Sequence, residues 1–110
     1  MKIANVFVDG VFAGILQEVK RTKLYRFIYD TAYKGLPVSL EMPLSTDMYE
    51  YDHFPPFFEG LLPEGIMLES LLRQRKCDKG DYMSQLLAVG HDLVGNVTVE
   101  ASSESLPNNV

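Results

Sequence analysis

The chain divides at one stretch, residues 54–65, which reads Phe54-Pro55-Pro56-Phe57-Phe58-Glu59-Gly60-Leu61-Leu62-Pro63-Glu64-Gly65. The residues before it have the pattern of strands, and the residues after it have the pattern of short helices and one last strand. Proline fixes its own φ and disfavours the helical region for the residue before it. The two adjacent prolines therefore suit the first turn of a short helix, 55–61, which Pro63 ends near Leu62. We expect an apolar corner whose tip is a stiff loop, 62–66.

Composition and charge indicate one ordinary globular domain. The chain has 110 residues, of which 46% are hydrophobic and 23% are charged, and its net charge is −5. A negative net charge argues against a general nucleic-acid binder, because such proteins need a basic face to displace counterions. We expect the two basic runs, 20–23 and 73–76, to be solvated charges at a turn and at a helix end.

The sequence favours a cytoplasmic location. The first residues lack the long apolar centre of a signal peptide, and no apolar run approaches the roughly 20 residues that span a membrane. The single cysteine, Cys77, allows no internal disulfide, which agrees with a reducing compartment.

The first half of the chain predicts four strands. Residues 2–8 and 11–19 are rich in β-prone side chains and flank Asp9-Gly10, a pair typical of a tight hairpin turn. Residues 24–29 form a third strand with Tyr25, Phe27 and Tyr29 on one face. Val38, Leu40 and Met42 alternate with other residues, which predicts a fourth strand over 37–42, followed by a loop over 44–53.

The second half predicts two longer helices, one strand and a polar tail, over 65–75, 81–89, 94–100 and 101–110. In the first of these helices Leu68, Leu71 and Leu72 share one face. Either Asp78 or Asp81 can cap the start of the next helix, and Gly90 is placed to end it in a left-handed conformation.

The element order, ββββ-αα(α)-β, predicts an α+β fold. Runs of strands followed by runs of helices are typical of a small antiparallel sheet, here of about five strands, with short helices packed on one side. We assign residues 1–100 to this domain and residues 101–110 to a flexible polar tail.

The residues capable of chemistry are scattered. His91 beside Asp92 has the composition of a general base and its orienting carboxylate, but adjacent extended residues point to opposite sides. Cys77 follows a helix end, where the dipole opposes a reactive thiolate. His53 and His91 are far apart, and no spacing fits a metal site. The residues therefore favour a binding module over an enzyme, with no catalytic residue, metal or cofactor, and a small enzyme that uses His91 and Asp92 remains an alternative.

The apolar corner is the best candidate for partner binding. Phe57, Phe58 and the following leucines fit a core, but Ile66 and Met67 at the loop tip are harder to bury. An apolar tip stiffened by proline loses little entropy on docking. We assign the partner-binding surface to Leu62, Pro63, Glu64, Gly65, Ile66 and Met67.

Four features in order resemble the N-terminal subdomain of HipA-type serine/threonine kinase toxins. They are the Asp-Gly hairpin, the run from Gly35 to Leu44 (GLPVSLEMPL) after Phe27-x-Tyr29, the run from Pro56 to Gly65 (PFFEGLLPEG), and the run from Asp81 to Gly95 (DYMSQLLAVGHDLVG). The resemblance covers about residues 2–100. Asn96 departs from it, since the family commonly has alanine there.

The resemblance implies a bacterial antitoxin. The chain ends where the kinase core of that family begins, so kinase activity is not expected. A chain of this size is similar to the HipS family of three-gene HipB–HipS–HipT systems. The implied partners are a HipT-like kinase, which this chain neutralises near its active site, and a HipB-like helix-turn-helix DNA-binding protein in a ternary complex. The alternative is a structural subunit that completes a split HipA-like kinase without inhibiting it. Direct nucleic-acid or membrane binding is not expected.

Overall fold

The first hairpin forms because its two turn residues adopt the left-handed backbone conformation. The computed structural model describes residues 1–93 and 95–102, in which β1 spans Lys2–Val8 and β2 spans Val11–Lys20. Asp9 has φ of 51° and Gly10 has φ of 80°, which is the combination that a type I′ turn requires. The predicted hairpin is confirmed.

Three further strands and three helices complete the described fold: β3 (Leu24–Tyr29), β4 (Met48–Tyr51), α1 (Pro56–Glu59), α2 (Gly65–Arg75), α3 (Tyr82–Val89) and β5 (Val97–Ala101). The sheet is antiparallel throughout, with strand order β4-β3-β2-β1-β5. The predicted α+β class, the five strands and the element order are confirmed. Helix α1 is shorter than the predicted 55–61, whereas α2 has the predicted bounds.

The core lies on one face of the sheet, between the strands and the helices. Tyr25, Phe27 and Tyr29 alternate onto this face as predicted, and all three are buried. Phe58 of α1 packs on Phe27, with ring centroids 5.9 Å apart. Met83 of α3 is also fully buried in this cluster. The core therefore fixes where α1 and α3 sit, and with them the corner between α1 and α2.

The predicted fourth strand was placed wrongly. Residues 37–42 form a loop, and the strand is Met48–Tyr51, within the predicted loop 44–53. Val38 and Met42 are buried as a strand pattern would require, but they are anchors of a turn over the core. The true strand also alternates in sequence, since Glu50 separates Tyr49 from Tyr51. In the structure these two tyrosines lie opposite Phe27 and Tyr25 of β3.

The start of α3 is fixed by a charged cap, and of the two predicted candidates, Asp78 and Asp81, the cap is Asp81. The Asp81 carboxylate accepts a hydrogen bond from the Ser84 backbone N–H at 3.2 Å. It also forms an ion pair with Lys2 Nζ at 3.0 Å. The pKa of Asp81 is lowered, since burial, which opposes the charged form, is outweighed by the hydrogen bonds from Ser84 and Lys2. The cap therefore ties α3 to β1.

The end of α3 differs from the prediction. Gly90 has φ of −55°, an ordinary helical value, so it is not a left-handed cap. A Cβ at this position would lie 2.8 Å from the carbonyl carbon of Val99 in β5. Glycine is required here because α3 ends directly against the sheet, where the Val99 N–H donates to the Gly90 carbonyl at 3.0 Å.

The last strand begins at Val97 instead of residue 94. Val94 lies outside the described residues, as does the predicted tail beyond Ser102, whereas Ala101 belongs to β5. None of the helices described is both long enough and apolar enough to cross a membrane.

Candidate functional site: the apolar corner between α1 and α2

Helix α1 presents one aromatic ring to the core and another to the surface. Pro55 precedes the helix in an extended conformation, and Pro56 occupies its first turn, where a missing N–H has little cost. Phe58 is fully buried, whereas Phe57 is half-buried beside it, with ring centroids 5.1 Å apart. The buried ring therefore holds the helix, and its neighbour contributes to an apolar surface.

The chain leaves α1 through a tight turn. The N–H groups of Leu61 and Leu62 donate to the carbonyls of Phe58 and Glu59, both at 3.1 Å, and Pro63 follows directly. Gly65 then starts α2 with φ of +60°, a conformation that favours glycine. The loop at the corner is therefore held on both sides, which agrees with the stiff loop expected from its proline and glycine.

Helix α2 starts with two exposed apolar side chains. Ile66 is 83% exposed and Met67 is 73% exposed. The predicted leucine face of this helix, Leu68, Leu71 and Leu72, is half-buried, and no residue of α2 is fully buried. The helix thus packs lightly on the domain, and the fold makes little use of the apolar residues in its first turn.

A groove of about 420 Å³ lies beside this tip. Its lining is mostly apolar, with one carboxylate at the edge, and comes from Gly60, Leu61, Pro63, Met67, Val89, Asp92 and Leu93. The groove therefore brings together two of the sequence runs that resemble HipA-type proteins, one ending at Gly65 and the other surrounding Gly90. An apolar recess next to an exposed apolar tip has the character of a protein-binding surface.

The six predicted site residues form one continuous segment, which runs from the turn after α1 into the first turn of α2. Leu62 and Pro63 are half-buried, and Glu64, Gly65, Ile66 and Met67 are exposed. The prediction missed Leu61, Val89 and Leu93, which share the groove with Met67. In the sequence, the signal for these three residues was only that they are apolar and belong to the two runs that resemble the family. Their proximity depends on the packing of α3 and could not be read from the sequence. Whether the predicted residues contact a partner stays a prediction.

The residues considered for catalysis lie at the surface. His91 and Asp92 are both exposed at the turn after α3. Burial raises the pKa of the Cys77 thiol, and the Asp81 carboxylate adds to that effect, so the reactive thiolate is disfavoured. Among the described residues, no three His, Cys, Asp or Glu side chains are grouped as a metal site requires.

Comparison with known proteins decides the family. The sequence model for the HipA N-terminal domain matches residues 4–100. The chain belongs to the HipA N-terminal domain family. The resemblance seen in the sequence is thereby confirmed, and the whole corner and groove lie within the matched residues.

Two known proteins are similar to this chain over nearly its full length. An uncharacterized protein of Haemophilus influenzae (strain ATCC 51907 / DSM 11121 / KW20 / Rd) is 29% identical over 104 residues, which are 94% of this chain and 96% of that protein. A solved structure of the N-terminal domain of HipA toxin is 27% identical, with a TM-score of 0.74, and the match covers 94% of this chain and 95% of that one. The HipA N-terminal fold is therefore shown for this chain.

Proposed function

We propose that this chain is an antitoxin that binds and neutralises a HipT-type serine/threonine kinase. Membership of the HipA N-terminal domain family supports a role in a Hip toxin system. The Haemophilus influenzae relative, whose length this domain nearly fills, supports a domain that works without a kinase core on the same chain. In this role the chain is not an enzyme and needs no cofactor, and it meets its ATP-dependent partner in the cytoplasm.

The exposed pair Ile66 and Met67, next to the apolar groove, is the observation that carries the proposal. Burial of a large aliphatic side chain contributes about 1.5–3 kcal/mol. The pair can therefore contribute several kcal/mol to a complex, while the stiffness of the loop reduces the entropy lost on docking. The predicted contact residues, Leu62 to Met67, lie at the kinase surface in this proposal, near its nucleotide cleft.

The charge of the chain supports the same kind of partner. The net charge is −5, and Glu64 is exposed within the contact loop. A kinase holds the phosphates of ATP with basic groups, so its cleft attracts an acidic surface. In a ternary complex, a HipB-like helix-turn-helix protein would supply the DNA contacts that an acidic chain is poorly suited to make.

The direct test is the activity of the co-encoded HipT-type kinase, titrated with this chain. We expect kinase activity to fall to zero near one equivalent. Changing Ile66→Asp and Met67→Asp together should weaken binding by at least about 100-fold, which corresponds to about 2.8 kcal/mol, and should abolish inhibition. The control Gln74→Glu adds negative charge to an exposed position of the same helix without removing apolar surface.

The alternative of a non-inhibitory structural subunit gives the opposite result. A stable complex with unchanged or raised kinase activity would reject the antitoxin role and favour a subunit that completes the kinase fold. Unchanged affinity of the doubly substituted chain, with inhibition intact, would reject the corner as the contact surface.

A further inference from the structure

A second apolar tip lies in the loop between β3 and β4. Leu40 is 95% exposed, although Val38 and Met42 on either side of it are buried to 5% and 1% exposure. Leu36, at the start of the same loop, is 65% exposed. Leu40 contributes nothing to this core, but together with Leu36 it lines one groove, and a contiguous apolar patch of this kind is typical of a contact surface.

The fold holds this loop in one shape. The Tyr29 hydroxyl lies between the two anchors: it accepts a hydrogen bond from the Val38 N–H at 2.9 Å and donates one to the Met42 carbonyl. The Met42 N–H donates to the Ser39 carbonyl at 3.0 Å, which closes the turn around Leu40. The tip is therefore preorganised, and a partner that buries it does not have to order the loop first.

The loop and the corner flank the same short helix. A groove of about 510 Å³ separates residues 36–41 from Phe57 of α1. Leu61, which follows the end of α1, lines the groove beside Met67. Phe57 and Leu61 are both half-buried, and each lines one of the two grooves, so the grooves lie on either side of the same short segment of chain.

The charges around this surface are mostly acidic, although Lys34 is exposed two residues before Leu36. Glu41, Glu59 and Glu64 are all exposed next to it. Seven of the ten Lys and Arg residues lie in 20–23 and 73–79. An ion pair between Arg21 and Asp78, at 3.8 Å, joins these two runs. It lies beyond the last turn of α2, about 16 Å from the first turn of that helix. A complementary partner therefore has an apolar recess with basic groups around it.

We propose that Leu40, with Leu36 and Phe57, forms a second contact for the same kinase, which is thus bound on both sides of α1. This inference rests on the proposed function, since it takes the kinase as the occupant. It extends the contact surface beyond the predicted Leu62–Met67 loop to a segment that no sequence pattern marked for binding.

The test compares the affinity of the co-encoded kinase for variants with a substitution in each tip, measured by calorimetry with the full chain. Leu40→Ser should weaken binding by at least tenfold and leave the melting temperature unchanged, because the side chain is exposed. The control is Met48→Thr, which removes another exposed apolar side chain from the opposite face of the sheet, where it pairs with Ile28.

The outcomes separate the two proposals. If the kinase binds, and the Ile66 and Met67 substitutions weaken binding while Leu40→Ser does not, the second contact is rejected and the proposed function stands. If Leu40→Ser weakens binding more than Met48→Thr does, the second contact is supported, whatever the effect of the corner. If the kinase does not bind the unaltered chain at all, the proposed function fails, and this inference fails with it.

Discussion

The Tyr29 hydroxyl connects the stability of the domain to the shape of its second apolar tip, so Tyr29→Phe tests both. The side chain is 5% exposed, and its hydroxyl pairs with the Val38 N–H and the Met42 carbonyl. Phenylalanine keeps the ring in the core beside Phe27, with which Tyr29 makes an edge contact at 4.8 Å between centroids. The substitution therefore removes two hydrogen bonds and very little packing.

The expected loss follows from the groups left behind. A buried N–H or C=O without a partner costs about 1–3 kcal/mol. Two such groups would cost up to about 6 kcal/mol, but the loop is near the surface and some relaxation towards water will relieve part of this. We expect a decrease in the free energy of unfolding of about 2–3 kcal/mol, which lowers the melting temperature of a domain of this size by about 10 °C.

Urea unfolding and amide hydrogen exchange together measure this effect. Exchange of the Val38 amide should accelerate more than that of the central β-strand amides, because the loop opens locally before the sheet does. The matched control is Tyr49→Phe, which removes a hydroxyl that donates to the Pro43 carbonyl at 2.6 Å in an exposed setting. This control should cost less than about 1 kcal/mol. Equal stability of the two variants, with the Val38 amide still protected, would refute the reasoning.

Two further predictions concern the ends of α3. Gly90→Ala should destabilise the domain by about 2 kcal/mol or more in thermal unfolding, since its Cβ would overlap the Val99 carbonyl, while Gly80→Ala, with open space around it, should be tolerated; equal melting temperatures would contradict this. Asp81→Asn keeps a capping side chain for the Ser84 N–H but removes the charge. Because the folded pKa of Asp81 lies below its unfolded value, its carboxylate stabilises the fold above about pH 4, and this contribution is lost as the pH falls through the folded pKa. Urea unfolding should therefore show the variant to be less stable at pH 7, with a difference in stability that shrinks as the pH falls below about 4, and a difference that stays constant in acid would contradict the assignment.

The parts of the fold that the sequence predicted well are those set by local chemistry. The Asp9-Gly10 turn needs only two residues that tolerate positive φ, and the cap at Asp81 needs only a short acidic side chain before a helix. Gly90 shows the limit of such reasoning. Its position after a helix predicted a left-handed cap, but its actual requirement is the close approach of Val99, which is 9 residues away and depends on tertiary packing.

The candidate site was predictable only in part, for the same reason. Ile66 and Met67 were recognisable as hard to bury, because a stiff proline corner leaves them at a tip. The groove beside them was not recognisable, since Leu61 and Val89 are 28 residues apart in the sequence and line one groove only in the folded domain. The family resemblance named the two sequence runs involved, but the geometry was needed to place them against one another.

The wrongly placed strand is the most informative failure. The alternation of Val38, Leu40 and Met42 has the period of a strand, and its first and last members do point into the core. A turn over residues 39–42 breaks the period between them, so the middle leucine points to solvent instead. Nothing in the packing of this domain requires an apolar residue there, and serine or lysine would avoid the exposure. Departures from a consistent local pattern are expected at functional positions. Leu40, which makes the strand prediction fail, is therefore the residue whose role is best explained by contact with a partner.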